Sequence, residues 1–398
     1  MTDKYSYVSL GEEILCREDS IPLLSRISNL IFDCDGVIVS DRDSYRQAIA
    51  RSVDYYFLTL VGLNGEKGRL VTQADIQKIK DTGAFNNDWN LTYLIITYYL
   101  GLLIWKLYQA SSEDILRDLE DVSIPDPERI LERLKRLGTI SAQFGLDVEC
   151  LGKLKSDPQF GLWKLLEKPV GNEQNLILRD VEKALGLGKH ISRLVERLCP
   201  YDIKEDDLLR RLFDEIYLGQ SLYTRFSNRK PFFDFTDGLI EEEDAIPNSE
   251  TLDKLKSRFG LFGIFSERPR QEGLYVLEKH NLLQYFDREA IFFGEDIARI
   301  SGDSMGSLNW GKPDARAFVT ILRRLPRSSV TAYVGDTVSD ALMIRNARDL
   351  VDRDVLFIGT LYSSPTKERL RGKFLELGSE IIVKDVNALP SVFDRSGM

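Results

Sequence analysis

Histidine and cysteine are scarce in this sequence, with two and four residues in a chain of 398. Cys16, Cys34, Cys150 and Cys199 are scattered with no CxxC spacing, so neither a zinc site nor a disulfide framework is expected. A reducing cytoplasm is the expected compartment. Positive charge is also in deficit: 53 Lys and Arg stand against 63 Asp and Glu, a formal net charge of -10. That balance argues against a general nucleic-acid partner. The opening MTDKYSYVSLGEEI has no basic start followed by an apolar run and does not read as a signal peptide. Only one uncharged stretch raises the question of a membrane, Leu91 to Trp105. It is shorter than the roughly 18–20 residues that span a bilayer, Lys106 closes it, and it contains Thr92, Thr97, Gly101 and three tyrosines. A buried helix of a soluble protein is expected, with no membrane partner.

What is present is enough apolar material for a sizeable core. Hydrophobic residues make up 43% and charged residues 29%. The length suits two domains, one of them elaborated. Leu30-Ile31-Phe32 reads as a buried strand running into the polar loop Asp33-Cys34-Asp35-Gly36. From Tyr45 the period changes: Tyr45, Ala48, Ile49, Val53, Tyr56 and Phe57 share one helical face. The next two hundred residues pattern mostly as helix. Asp126-Pro127 opens one of them with a cap and a first-turn proline, and Gly138 is expected to end it. Strand and helix alternate again from about residue 250, with strands at Leu261–Phe265, Val330–Val334, Val355–Ile358 and Glu380–Val383. This rhythm predicts an α/β fold, a Rossmann-like parallel sheet wrapped by helices, with an enlarged all-α cap domain. The expected layout is a sheet core from residues 25–41 and 240–398, a helical insertion at 42–239 acting as a hinged lid, and an N-terminal extension at 1–24.

Three expected strands end in residues suited to chemistry, Asp33, Ser266 and Asp336, and open parallel sheets bind ligands where strand carboxyl ends converge. Two carboxylates two residues apart can divide labour. One attacks a phosphoryl group while the other delivers a proton to the leaving oxygen. Asp336 can complete a hard oxygen site for Mg²⁺, Lys312 can neutralise charge, and the Ser266 hydroxyl can hold a phosphoryl oxygen.

These residues carry a resemblance. DCDGVIVSD at Asp33 to Asp41 resembles the first signature of the haloacid dehalogenase superfamily. Ser266 after GIF, the lysine of GKPDARAF and the run GDTVSD at Gly335 to Asp340 resemble the second, third and fourth, in the right order. The spacing from Lys312 to Asp336 suits the subfamily with a helical cap after the first signature. The similarity covers roughly residues 28–108 and 212–393. It implies that Asp33 becomes an aspartyl-phosphate and that Asp35 serves as acid and base while its backbone carbonyl holds the metal. It further implies Asp33, Asp35 and Asp336 as the Mg²⁺ ligands, with Asp340 acting through water or by positioning Lys312. Backbone amides around Cys34 to Gly36 would receive phosphoryl oxygens, and Gly36 would permit the tight turn. Cys34 reads as a small filler at a strand end, and His190 and His280 as surface or capping residues.

Within the insertion, GAFNNDWNLTY at Gly83 to Tyr93 and FDEIYLG at Phe213 to Gly219 are similar to a small branch of helical-cap members, as is SERP at Ser266 to Pro269, where TGRP is usual. Asn86, Asn87, Asp88 and Trp89, with Arg268, are the expected contacts to a small phosphorylated metabolite. For the first four, a capped helix start with Trp89 in the core is an equal reading. Residues from about 110 to 211 resemble nothing known to us and are expected to thicken the lid or form a homo-oligomer interface.

A dehalogenase needs the nucleophile but neither Asp35 nor a metal, so phosphoryl chemistry is the expectation, as a Mg²⁺-dependent phosphatase. A phosphomutase of the β-phosphoglucomutase type shares every core motif and is the first alternative. A non-catalytic phosphate-binding or scaffold protein is the second.

Overall fold

The computed structural model describes residues 5–11, 13–40, 44–80, 88–110, 119, 126–166, 174–200, 207–302, 310–325 and 330–395. The chain divides into two compact units, Met1–Arg42 with Glu243–Met398, and Asp43–Glu242.

The first unit is built on an eight-stranded sheet. In chain order its strands are β1 Tyr7–Gly11, β2 Ile14–Arg17, β3 Ile27–Phe32, β6 Leu261–Phe265, β7 Ile291–Phe292, β8 Val330–Gly335, β9 Val355–Thr360 and β10 Ile381–Val383. A separate antiparallel pair, β4 Val39–Ser40 and β5 Asp244–Ala245, lies beside the two points where the chain leaves and re-enters this unit. The large sheet runs in the order β1-β2-β10-β9-β8-β3-β6-β7. From β10 to β7 every pairing is parallel. Leu30, Ile31 and Phe32 are at most 2% exposed, which a central parallel strand covered on both faces requires. β3 is flanked by β6 on one side and β8 on the other, with Phe32 in register with Ile264 and Val334. The residues that follow these three strands are therefore neighbours. Beneath them lies a core of Ile31, Phe265, Phe318, Tyr333, Met343 and Phe357. Phe318 meets both Phe265 and Tyr333 edge-on, at 5.4 and 5.3 Å between ring centres.

Within the span 1–24 expected as an N-terminal extension, Tyr7–Gly11 and Ile14–Arg17 join the large sheet. β2 pairs antiparallel with β10, setting Cys16 against Ile381 and Leu15 against Ile382, and β1 covers β2. Burial alternates along β2, with Ile14 and Cys16 buried and Leu15 and Arg17 only partly so, but Leu15 is itself apolar and the sequence therefore shows no alternation. A buried carboxylate ties this edge down. Glu380, 1% exposed, lies 2.9 Å from Arg17 Nη1, accepts from the Phe357 amide at 2.7 Å, and pairs with Arg348.

In the second unit the described elements are helical. Its centre is the helix Asp88–Ala110, apolar on nearly every side and buried from Leu91 to Ile104. By length and composition this helix could cross a membrane, and 83% of its most apolar stretch is buried. Its hydroxyls are satisfied internally: Thr97 donates to the Tyr93 carbonyl at 2.7 Å, Tyr98 to Phe160 at 2.8 Å and Tyr99 to Leu70 at 2.7 Å. The helices Ser44–Asp54, Gln174–Leu185 and Lys189–Leu198 pack against it. The unfamiliar block thus contributes to the core of its own unit. Asp126 caps the helix Pro127–Gln143 by accepting from the Glu128 amide at 3.1 Å. Gly138 does not end that helix. A Cβ there would fall 1.8 Å from the Val61 carbonyl oxygen, so the glycine serves close helix packing.

Replacing Glu380 by alanine would leave Arg17 and Arg348 without their shared buried partner. We expect Glu380→Ala to cost about 3 kcal/mol or more, read as a lowered midpoint in urea denaturation. A loss under about 0.5 kcal/mol would show that the N-terminal hairpin does not depend on this carboxylate.

Candidate active site

The site starts from the end of β3. The Asp33 amide still belongs to the sheet, donating to the Val334 carbonyl at 2.8 Å, while its side chain is only 6% exposed. One carboxylate oxygen accepts from the Cys34 amide at 2.8 Å and the other lies 2.6 Å from Lys312 Nζ. The chain then turns tightly: Cys34 O accepts from the Ile38 and Val39 amides, and the Gly36 amide donates to Val39 O at 2.8 Å. The Cys34 and Gly36 amides, expected to face phosphoryl oxygens, are therefore spent on Asp33 and on the turn. Gly36 has φ +72°, and a Cβ there would lie 2.1 Å from Asp336 Oδ2. Only glycine allows the loop to lie directly against that carboxylate.

Asp336 follows β8 and is 9% exposed. Ser363, in the loop after β9, donates a hydrogen bond to its Oδ2. Asp340 sits in the first turn of the helix Val338–Arg348 and does two things. Its Oδ2 accepts from the Thr337 amide at 3.0 Å and the Thr337 hydroxyl at 2.6 Å, completing a capping box. Its Oδ1 lies 2.8 Å from Lys312 Nζ, and the Tyr333 hydroxyl donates to the same oxygen at 3.3 Å. Lys312 is thereby clamped between Asp33 and Asp340, its side chain 7% exposed. Burial would favour the neutral amine, but these two carboxylates hold its pKa well above the usual lysine range. For Asp33 burial wins: it pushes the carboxyl from an ordinary 3.8 up to about 7, against the pull of Lys312 and with a further push from Asp340. One oxygen from each of Asp33, Asp336 and Asp340 lies within 4.8 Å of the others, a group able to hold a cation.

Ser266 follows β6 and is 2% exposed. Its amide donates to Phe292 O at 3.0 Å, and its hydroxyl accepts from the Arg268 amide at 3.3 Å. Glu267, which stands where the related motif has glycine, accepts a hydrogen bond from the Lys312 amide. Arg268, expected at the substrate, has a fully buried side chain. It reaches Asp35 Oδ1 through Nη1 and Glu243 Oε2 through Nη2, both at 2.6 Å. The Asp35 side chain remains 25% exposed.

The other expected substrate contacts belong to the second unit. Asn86 and Asn87 lie outside the described residues. Asp88 opens its helix and pairs with Lys80 at 2.6 Å. Trp89 is 7% exposed, meets Phe213 edge-on at 6.5 Å and lies under the Arg210 guanidinium. Trp89 is thus an anchor of the helical core, the structural one of the two readings. His280 Nε2 donates to the Glu243 carbonyl at 2.8 Å, and His190 meets the ring of Tyr108.

Three residues escaped the sequence reading. Ser363 was accessible to the rule that found the rest, since it too follows the end of a parallel strand. Glu243 sits in the run Glu241 to Asp244, which reads as a solvated face. Glu267 was noticed only as a departure from the motif.

With this geometry in place, residues 179–348 match the family model described as haloacid dehalogenase-like hydrolase. This part of the chain is similar to haloacid dehalogenase-like hydrolases. The matched span holds Ser266, Lys312, Asp336 and Asp340, while Asp33 and Asp35 precede it. Among curated proteins, none matches the sequence. Among solved structures, a Northeast Structural Genomics Consortium target shares the fold at TM-score 0.63 and 18% identity, over 92% of this chain and 98% of that one. Phosphatase Tt82 from Thermococcus thioreducens aligns at TM-score 0.47 and 19% identity, over 87% and 99%. A haloacid dehalogenase-like hydrolase from Streptococcus pneumoniae aligns at 0.39 and 10%, over 93% and 99%.

The charge balance of this site has a measurable consequence. A carboxyl whose pKa is raised on folding favours the fold below its unfolded pKa, and that contribution is lost as pH climbs through the folded value. For Asp33 the window runs from about pH 4 to about pH 7. Lys312→Met removes the opposing ammonium and should widen the loss. In EDTA the variant should be about 3–5 kcal/mol less stable than wild type at pH 8, and closer to wild type at pH 5. Equal deficits at both pH values in urea denaturation would contradict the assignment.

Proposed function

We propose that this hydrolase is a Mg²⁺-dependent phosphatase acting on a small, polar phosphomonoester through an aspartyl-phosphate on Asp33. The observation that carries the reading is the Lys312 ammonium 2.6 Å from Asp33 and 2.8 Å from Asp340, inside a cluster of three carboxylates. A surface ion pair has no use for three acids around one base. A site that must hold a nucleophilic carboxylate beside a phosphate dianion does.

The donor set fits a hard divalent cation. Three carboxylates against one ammonium leave two negative charges, in a setting where burial first, and Asp340 after it, raise the Asp33 pKa. Asp340 is already committed to Lys312 and Thr337. Asp33 and Asp336, with the backbone carbonyl of Asp35, would hold the ion. Mg²⁺ bound there supplies the charge neutralisation that lets an anionic nucleophile approach a phosphoryl group.

The chain's own residues divide the remaining work. An Asp33 oxygen forms a bond to phosphorus as the ester P–O bond breaks, and Asp35 passes its proton to the departing oxygen. Water then attacks the aspartyl-phosphate, its proton returning to Asp35, which releases inorganic phosphate and regenerates Asp33. Lys312 keeps Asp33 directed and offsets its charge, and the Ser266 hydroxyl binds a phosphoryl oxygen.

The test is phosphate release from a panel of phosphomonoesters with and without Mg²⁺. Turnover should vanish in EDTA and return with Mg²⁺, Asp336→Asn should need a higher Mg²⁺ concentration for half-activation, and Asp33→Asn should fall at least about 1,000-fold. Full activity in Asp33→Asn would overturn the proposal. Interconversion of sugar phosphate isomers with little free phosphate would replace it with a mutase.

A further inference from the structure

We infer that Glu243 and Arg268 are positioning residues for Asp35, setting the carboxyl that hands a proton to the leaving group; this rests on the phosphatase reading above. Arg268 is charged, its side chain is wholly buried, and it points at no solvent. Its two terminal nitrogens are divided between Asp35 and Glu243, each at 2.6 Å. Glu243 is equally buried, so its negative charge balances the guanidinium and the pair enters the interior neutral. One such pair would be costly to keep for stability alone, since apolar residues of similar size commonly do as well.

The arrangement is asymmetric in a useful way. Among the described residues Asp35 is tied by Oδ1 alone, and it keeps a quarter of its side chain exposed. An acid that must reach an incoming ester needs one oxygen fixed and one available. The Arg268 end of this link is itself fixed, because its amide donates to the Ser266 hydroxyl and its carbonyl accepts from the Gly294 amide at 2.9 Å. At the other end the Glu243 carbonyl meets His280 Nε2 at 2.8 Å. Glu243 is also the first residue of the core after the chain returns from the helical unit. The setting of Asp35 is therefore tied to the chain path at that crossing.

A residue that acts through the acid should matter in proportion to how much the leaving group needs a proton. When Asp33 displaces an alkoxide, the proton of Asp35 must move to the leaving oxygen as the P–O bond breaks. When it displaces 2,4-dinitrophenolate, the phenolate departs as the anion and no proton is required. The comparison uses kcat/KM, which includes phosphoryl transfer to Asp33 and excludes the later hydrolysis step. Because Arg268→Met alone strands the buried Glu243, the variant is the double Arg268→Met with Glu243→Gln, which removes both charges together, and its fold is checked by thermal melting. We expect kcat/KM for β-glycerophosphate to fall about 100-fold more than kcat/KM for 2,4-dinitrophenyl phosphate, the range a general acid contributes. Equal losses on the two esters, or none on either, in a folded variant would overturn this inference and leave the phosphatase reading standing. A wild-type protein that hydrolyses neither ester in Mg²⁺ would overturn both.

Discussion

The ammonium of Lys312, held between Asp33 and Asp340, is the interaction on which the rest of the site depends. A buried ion pair is expensive unless its geometry is good and its other hydrogen-bonding positions are filled. Here they are filled from every side. Cys34 supplies an amide to Asp33, Thr337 supplies an amide and a hydroxyl to Asp340, and Glu267 accepts the amide of Lys312 itself. The parallel sheet makes this affordable, because β3, β6 and β8 are adjacent and deliver Asp33, Ser266 and Asp336 to one edge. The helix that follows Asp336 then places Asp340 one turn in, where its own start needs a carboxylate. One residue thus satisfies a helix cap and a buried lysine at once.

Much of the core was legible because strand ends announce themselves. An apolar run that stops at Asp33, Ser266 or Asp336 marks both the strand and its functional end, and the strands β6, β8 and β9 lie where the alternation put them. What could not be read is whatever depends on a partner far along the chain. Nothing local marks Glu243 as the counter-ion of Arg268, or Glu380 as the anchor of Arg17. In the hairpin β1–β2 the apolar Leu15 hides the alternation of β2. Gly138 reads as a terminator because glycine usually is one, whereas here it makes room for the Val61 carbonyl.

The helical unit poses the opposite problem. Its patterns predict helices well, and the helices Pro127–Gln143 and Lys189–Leu198 carry clear apolar stripes. Periodicity says which face is buried, though, and nothing about what a substrate would touch. Trp89 illustrates the limit. An aromatic beside donors and acceptors fits a binding surface and a core anchor equally, and only its burial against Phe213 separates the two.

The two aspartates of the opening loop are chemically identical and two residues apart, so any difference in role must come from their surroundings. Asp33 is almost fully buried with both oxygens engaged, one by an amide and one by an ammonium. That directs its remaining lone pairs and suits a group that forms a bond at one fixed angle. Asp35 is tied, among the described residues, at a single oxygen and stays a quarter exposed. That suits a group that must follow a proton from a leaving oxygen to a water. The tight turn at Gly36 creates the difference, since it keeps Asp33 in line with the sheet and turns Asp35 out of it. The third carboxylate, Asp336, lies against that same turn, where any side chain at position 36 would displace it. Asp33, Asp35 and Asp336 are in this sense set by one backbone feature, and the charges of Lys312 and Arg268 then give the two loop aspartates their different surroundings.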